Sequence, residues 1–433
     1  MRALLITALL PLAVAQAQPW IVENATLRGT IQPTGAFALR DKAAGRDWLP
    51  LATADRTGKL SRVNVSGAGR RLQAAAELGG SRLNLAFELP ANAPELRIRI
   101  SAGARDSMPA TLEYPFALQA PDEGYRLVLP HKTGLMFAVA DALALPRVKG
   151  RYECYAGSGL SMPWFGMTNL RSSLMTLFET PADGGVDVRL AGPGKRQSFA
   201  PQVYWLPVRD AFGYERSITY KLVKGGYVEM AKTYRKRLVE RSEFFSLRQK
   251  AETHPQLGKL IGAIDFHLRG SDEDQKALIE LLESRGVRRM LLNTGARADT
   301  VAWMKERGYL TGAYRIYTDI HPPRTGMPEE YGRGYPEHAY TQKDGSPVRG
   351  FAFSETRRST YRCPLLQLPL MLDLVPPLLA EKRYDALFLD VVTSGNSREC
   401  YAPAHPLDRR ADMEWRTNVL RYAAGLGIVV GSE

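Results

Sequence analysis

The sequence predicts a β-sandwich followed by an α/β unit, a (β/α)8-type barrel of which only about five strands are present. Three observations carry that prediction. Short runs of alternating apolar and polar residues fill positions 19 to about 225, the period of half-buried strands. At 226–247 the spacing turns helical. From about residue 255 onward, strand and helix patterns alternate strictly, which is the grammar of a parallel sheet.

The chain opens with Arg2, an apolar run from Ala3 to Val14, and a small-x-small triplet at Ala15-Gln16-Ala17. That pattern predicts a signal peptide over 1–17 and a periplasmic or secreted protein. Residues 18–225 follow as the β-sandwich. Their strand runs include "RLNLAFEL", "ELRIRISA", "YRLVLP", "SLMTLFET", "GVDVRLA", "QVYWLPV" and "SITYKLV", separated by Gly, Pro, Asp and Asn turns. Antiparallel sheets packed face to face fit that spacing. Residues 226–254 read as a helical linker, with Val228, Ala231, Tyr234 and Leu238 near one face.

Residues 255–433 read as the partial barrel. "LIGAIDFHL", "RRMLLNT", "YLTGAYRIYTDI", "YDALFLDVV" and "IVVGSE" are the expected strands. The helix after the first has Ser271 at its cap, acids in its first turn and Gly286 at its end. A helix broken by prolines is expected over "CPLLQLPLMLDLVPPLLAEK". A doubly wound sheet is the alternative, but no glycine-rich dinucleotide fingerprint follows any strand.

In parallel α/β folds, reactive groups gather at the carboxyl ends of the strands. Here those ends supply Asp265 and His267, Asn293 and Thr294, Tyr317, Asp319 and His321, then Asp390, then Glu433. With a regular first strand, Asp265 is expected to turn away from His267. The set is acidic and rich in hydrogen-bonding groups, without a serine elbow, an HExxH helix or a Cys–His sequence motif. Two carboxylates with polar neighbours suit glycoside hydrolysis. Asp390 and Glu433 stand at matching places on successive strands and are the catalytic candidates. His267, Asn293, Tyr317, Asp319, His321, Tyr401 and His405 are the substrate-binding candidates. Tyr401 and His405 lie in the long polar loop between the two carboxylates. Trp303 and Trp415 sit in helical patterns and are read as core, and Trp164 with Phe165 as a packing surface.

"PWFGMTNLRSSLMTLFETPADGG", "GGYVEMAKTYRKRLVERSEFFSLRQK" and the pair "FLDVV…GIVVGSE" resemble the bacterial endo-α-N-acetylgalactosaminidases of glycoside hydrolase family 101 and the related enzymes of family 129. The resemblance implies a galactose-mutarotase-like sandwich joined to a (β/α)8 barrel. It also implies a retaining α-glycosidase for galactose or N-acetylgalactosamine-type glycosides, with Asp390 as nucleophile and Glu433 as acid/base. The alternative is a non-catalytic carbohydrate-binding protein with a vestigial barrel.

Composition narrows the partners. The chain has 433 residues and a formal charge of +13. Its basic residues are dispersed, with no nucleic-acid module. No later stretch has the length and apolarity of a membrane span. No cofactor is demanded and no metal-ligand spacing stands out. Cys154, Cys363 and Cys400 are widely spaced; a Cys363–Cys400 bridge is conceivable in an oxidising compartment. The oligomeric state stays open. Five strand–helix steps in 179 residues fall short of the roughly 250 residues of a complete barrel. The expectation is therefore a C-terminally truncated chain, an open sheet, and a fragment inactive by itself.

Overall fold

Alternation along the first half buries every second side chain, and the strands assemble accordingly. The computed structural model describes residues 18–51, 58–78, 80–108, 111–141, 145–191, 198–324, 327–352, 354 and 358–433; the leader expected at 1–17 lies outside these. In Ser81–Glu88 the buried positions are Ser81, Leu83, Leu85 and Phe87, a strict period of two. Seven runs singled out by the sequence pattern are all strands.

Up to residue 224 the strands form three antiparallel sheets. Four strands between Trp20 and Trp48 make one. A nine-stranded sheet has Arg216–Lys224 between Ser172–Phe178 and Glu95–Ser101 near its middle. Gly150–Glu153, Gly184–Ala191 and Ser198–Trp205 make the third. One apolar core joins all three: Leu39 and Trp48 meet Leu85, Ile98 and Phe165, and Val186 and Trp205. Each fully buried side chain of this kind contributes about 1.5–3 kcal/mol. The Trp205 indole keeps its hydrogen bond by donating to the Tyr114 carbonyl at 2.8 Å.

The helix expected as a linker spans Tyr227–Glu240 and packs on the nine-stranded sheet. Its contact face differs from expectation. Met230 is fully buried beside Trp164 and Met175, with Tyr234 against them, while Val228 is exposed. Trp164 and Phe165 are buried, as a packing surface requires.

The second half is a parallel sheet with its strands in sequence order: Ile264–His267, Met290–Asn293, Leu310–Arg315, Ala386–Leu389 and Val429–Ser432. They are called here the first to fifth parallel strands; the first and fifth are the outer ones. Ser271 caps the first helix, Asp272–Ser284, accepting from the Asp274 amide at 3.1 Å. Leu387 and Leu389 of the fourth strand pack outward on Met371, Val375 and Val419 of the flanking helices.

Two expectations are corrected here. The proline-rich segment is one continuous helix, Pro364–Lys382, with Pro369, Pro376 and Pro377 inside it; tertiary packing of Leu370, Met371 and Val375 outweighs the lost amide donors. The third strand stops at Arg315. Beyond it, Asp319–Ile320 joins a separate antiparallel sheet with Arg358–Tyr361 and Arg349–Ala352.

Candidate active site

Leu387 and Leu389 face the helices, so Phe388 and then Asp390 face the opposite, concave side of the parallel sheet. Gly312 and Tyr314 do the same on the third strand, and Leu291 and Asn293 on the second. Phe388 stacks on Tyr314 with centroids 5.7 Å apart, and the His267 ring meets both edge-on at 5.1 and 5.4 Å. Below them, Asn293 donates to Asp265 at 2.7 Å.

Two glycines shape this face. A Cβ at Gly312 would lie 2.7 Å from Asn293 Oδ1, and one at Gly431 would lie 3.0 Å from the Phe388 ring. Side chains at either position would collide with groups already packed there.

The carboxylates stand above this layer. Leu389 pairs with Ser432 in register, so Asp390 and Glu433 follow side by side on adjacent strands, whose backbones run about 4.8 Å apart. Asp390 is buried and Glu433 is exposed. The Tyr314 hydroxyl donates to Asp390 Oδ2; Oδ1 is buried with no partner among the described residues. Burial pushes the Tyr314 phenol up, and its bond to Asp390 and the charges of Asp390 and Glu433 push the same way. Val391 follows in the left-handed region, φ +64°, an uncommon conformation for a β-branched residue. Such outliers cluster at functional sites.

Asp319 is also in range of this charge. Burial raises its carboxyl above the ordinary value, the Ser359 hydroxyl opposes that at 3.0 Å, and Asp390 adds to it. Tyr331 lies nearby, its phenol raised first by burial and in part by Asp319 and Asp390; the His321 ring meets it edge-on at 6.2 Å.

The structure therefore brings His267, Asp319, Asp390 and Glu433 to one rim, with His321 on its border and Asn293 buried beneath it. Three candidates go elsewhere. Tyr317 is drawn into the helix-side core with Ala313 and Leu370, because the chain leaves the sheet after Arg315. Tyr401 donates to Glu399 at 2.7 Å beneath the Arg209 guanidinium, 4.8 Å from its ring, and so serves the contact with the β-rich half. His405 is buried, held by Cys400 at 3.3 Å and the Glu337 carbonyl at 2.8 Å. Asp265 does not turn away from His267: residues two apart in a strand share a face, and the two side chains lie 3.7 Å apart.

Sequence reasoning missed Tyr314 and Phe388 as site residues. The alternation in "LTGAYR" and "ALFLD" already places them on the face of Asp390. It also missed Arg416, which shapes the loop after Asp390. Arg416 pairs with the buried Asp412 at 3.0 Å and donates to the carbonyls of Gly395 and Asn396, each at 3.0 Å. Asp412 in turn accepts from Tyr340. Arg409, on the same helix, ties the halves together by donating to Asp183 at 3.1 Å, the Pro207 carbonyl at 3.1 Å and Glu399 at 3.2 Å.

Residues 290–433 match the family model "Glycosyl hydrolases related to GH101 family, GH129". No curated protein sequence matches the chain. The fold matches the solved α-N-acetylgalactosaminidase NagBb from Bifidobacterium bifidum in its GalNAc complex with a TM-score of 0.76. The identity is 17%, over 95% of this chain and 76% of that one. NagBb in complex with Gal-NHAc-DNJ gives 0.75 at 18% identity, with the same coverage. A GH31 family sulfoquinovosidase from E. rectale gives 0.51 at 9% identity, over 95% of this chain and 66% of that one. The chain thus resembles the glycosyl hydrolases of family 129 in sequence over residues 290–433, and NagBb in fold over 95% of its length.

Proposed function

We propose that this chain is a retaining α-glycosidase acting on α-linked galactose or N-acetylgalactosamine-type sugars, with Asp390 as nucleophile and Glu433 as acid/base. The observation that carries the reading is the register of Leu389 with Ser432, which sets the two carboxylates on neighbouring strand tips. Retaining enzymes hold such groups about 5–5.5 Å apart. The family match and the fold of NagBb support a glycosidase and suggest the sugar class.

In the proposed reaction Asp390 attacks the anomeric carbon while Glu433 gives a proton to the departing glycosidic oxygen. Glu433 then takes a proton from water, which attacks the glycosyl–Asp390 ester and releases the sugar with its configuration retained. Tyr314 orients the Asp390 carboxylate through Oδ2, and Oδ1 has no hydrogen-bond partner among the described residues. The exposed Tyr314, the half-buried Phe388 ring, and the polar groups of His267 and His321 supply the sugar-facing surface, with the buried Asn293 and Asp319 behind them.

In this reading residues 18–225 are a galactose-mutarotase-like sandwich, 226–254 a linker and 255–433 part of a (β/α)8-type barrel. Arg2 and the apolar run behind it support export to a periplasmic or secreted location. The test uses the gene product carrying residues 18–433 and a panel of aryl α-glycosides. Asp390→Ala should lower kcat by about a thousandfold or more, and azide should rescue it with a glycosyl azide of inverted configuration. Binding of sugar by the complete gene product without turnover of any glycoside would favour a carbohydrate-binding role instead.

A further inference from the structure

Two thiols and an imidazole that are far apart in sequence meet beneath the loop that follows Asp390. Cys363 caps the start of the Pro364–Lys382 helix. Cys400 and His405 lie in the 391–408 loop. Cys363 Sγ, Cys400 Sγ and one ring nitrogen of His405 lie within 4.8 Å of one another, and all three residues are buried. The cysteines are free.

The surroundings suit a metal. His405 Nε2 sits 2.8 Å from the Glu337 carbonyl, which as an acceptor can take only a proton from it. That fixes the tautomer and turns the Nδ1 lone pair toward Cys400 Sγ, 3.3 Å away. A hydrogen bond on the far nitrogen is the usual arrangement around a ligating imidazole. The Thr341 amide donates to Cys400 Sγ at 3.4 Å, so the sulfur that gains charge on ligation already has a backbone donor. The buried Tyr340, Ala402 and Leu407 pack with the two cysteines.

We propose that Cys363, Cys400 and His405 bind one thiophilic d10 cation, Cu+ or Zn2+, which fastens the 391–408 loop to the head of the Pro364–Lys382 helix. Each thiol gives up its proton as the metal–sulfur bond forms, and no electrons are transferred. Two thiolates and an imidazole are a soft donor set. No fourth His, Cys, Asp or Glu side chain joins the group among the described residues. Three donors suffice for Cu+, whereas Zn2+ takes four and would add a water. The proposal is independent of the glycosidase reading, because it uses neither Asp390 nor Glu433.

The experiment titrates the reduced full chain, without oxygen, with Zn2+ and separately with Cu+ held by a competing chelator. The expected result is one equivalent bound, a raised Tm, and an X-ray absorption spectrum with two sulfur ligands. Cys400→Ser and His405→Gln should lose stoichiometric binding, and Cys154→Ser should keep it. The absorption spectrum of the wild-type chain decides the matter even if a variant fails to fold. Failure of both ions to bind at one equivalent, binding without sulfur ligation, or a Cys363–Cys400 disulfide forming in preference to metal binding would each overturn the proposal.

Discussion

Tyr314 reaches from the third parallel strand to the carboxylate of Asp390 at the tip of the fourth, and its hydroxyl donates to Oδ2. The bond crosses the sheet on its concave side, between strands paired from Gly312↔Ala386 to Arg315↔Leu389. It leaves Asp390 with one oxygen held and one buried and unpartnered among the described residues.

Tyr314→Phe should therefore lower kcat while changing KM little. A hydrogen bond to a charged group is worth about 1.5–3 kcal/mol, or roughly a 10- to 100-fold loss in rate. Steady-state kinetics on an aryl α-glycoside, with Tm as the control for folding, is the measurement. An unchanged kcat would remove Tyr314 from the proposed machinery.

Arg416→Met should destabilise the chain by about 3–5 kcal/mol, because it leaves Asp412 buried without its cation. Arg416→Met combined with Asp412→Leu should recover part of the loss. Chemical denaturation of these two variants and of Asp412→Leu alone reads the coupling, and strictly additive effects would show that the pair does not act as one unit.

Gly312→Val should cost about 1–3 kcal/mol through the close approach of Asn293 Oδ1 and the Ala386 Cβ. It should also disturb the Asn293–Asp265 hydrogen bond. A wild-type Tm for this variant would show that the concave face has more room than the geometry allows.

Asp319→Asn should raise Tm at neutral pH by on the order of 2 °C. Burial raises the folded-state pKa of Asp319 above its unfolded value. Its contribution is thus most favourable in acid, below the ordinary aspartate range, and is lost as pH rises through the raised value. The amide does not ionise and escapes that loss, so the advantage should appear at neutral pH and vanish in acid. A gain that persists unchanged at low pH would point to some other cause.

By itself the sequence determined the strand runs of the first half and the order of the five parallel strands. Alternation in "RLNLAFEL" and "SLMTLFET" and the caps of Asp272–Ser284 are local signals, set by the geometry of strands and helices. The placing of Asp390 and Glu433 at matching strand ends was legible for the same reason: each follows a short apolar run, and parallel strands align such runs. Tertiary structure alone decided what the remaining polar residues do. Tyr317, Tyr401 and His405 sit in polar or aromatic contexts that resemble a substrate loop. Yet the chain leaves the sheet after Arg315, Arg209 arrives from the β-rich half, and Cys363 meets Cys400 across 37 positions. Those outcomes depend on contacts between distant segments, where burial and pairing are won by whichever neighbour the fold supplies, and no local pattern records that neighbour.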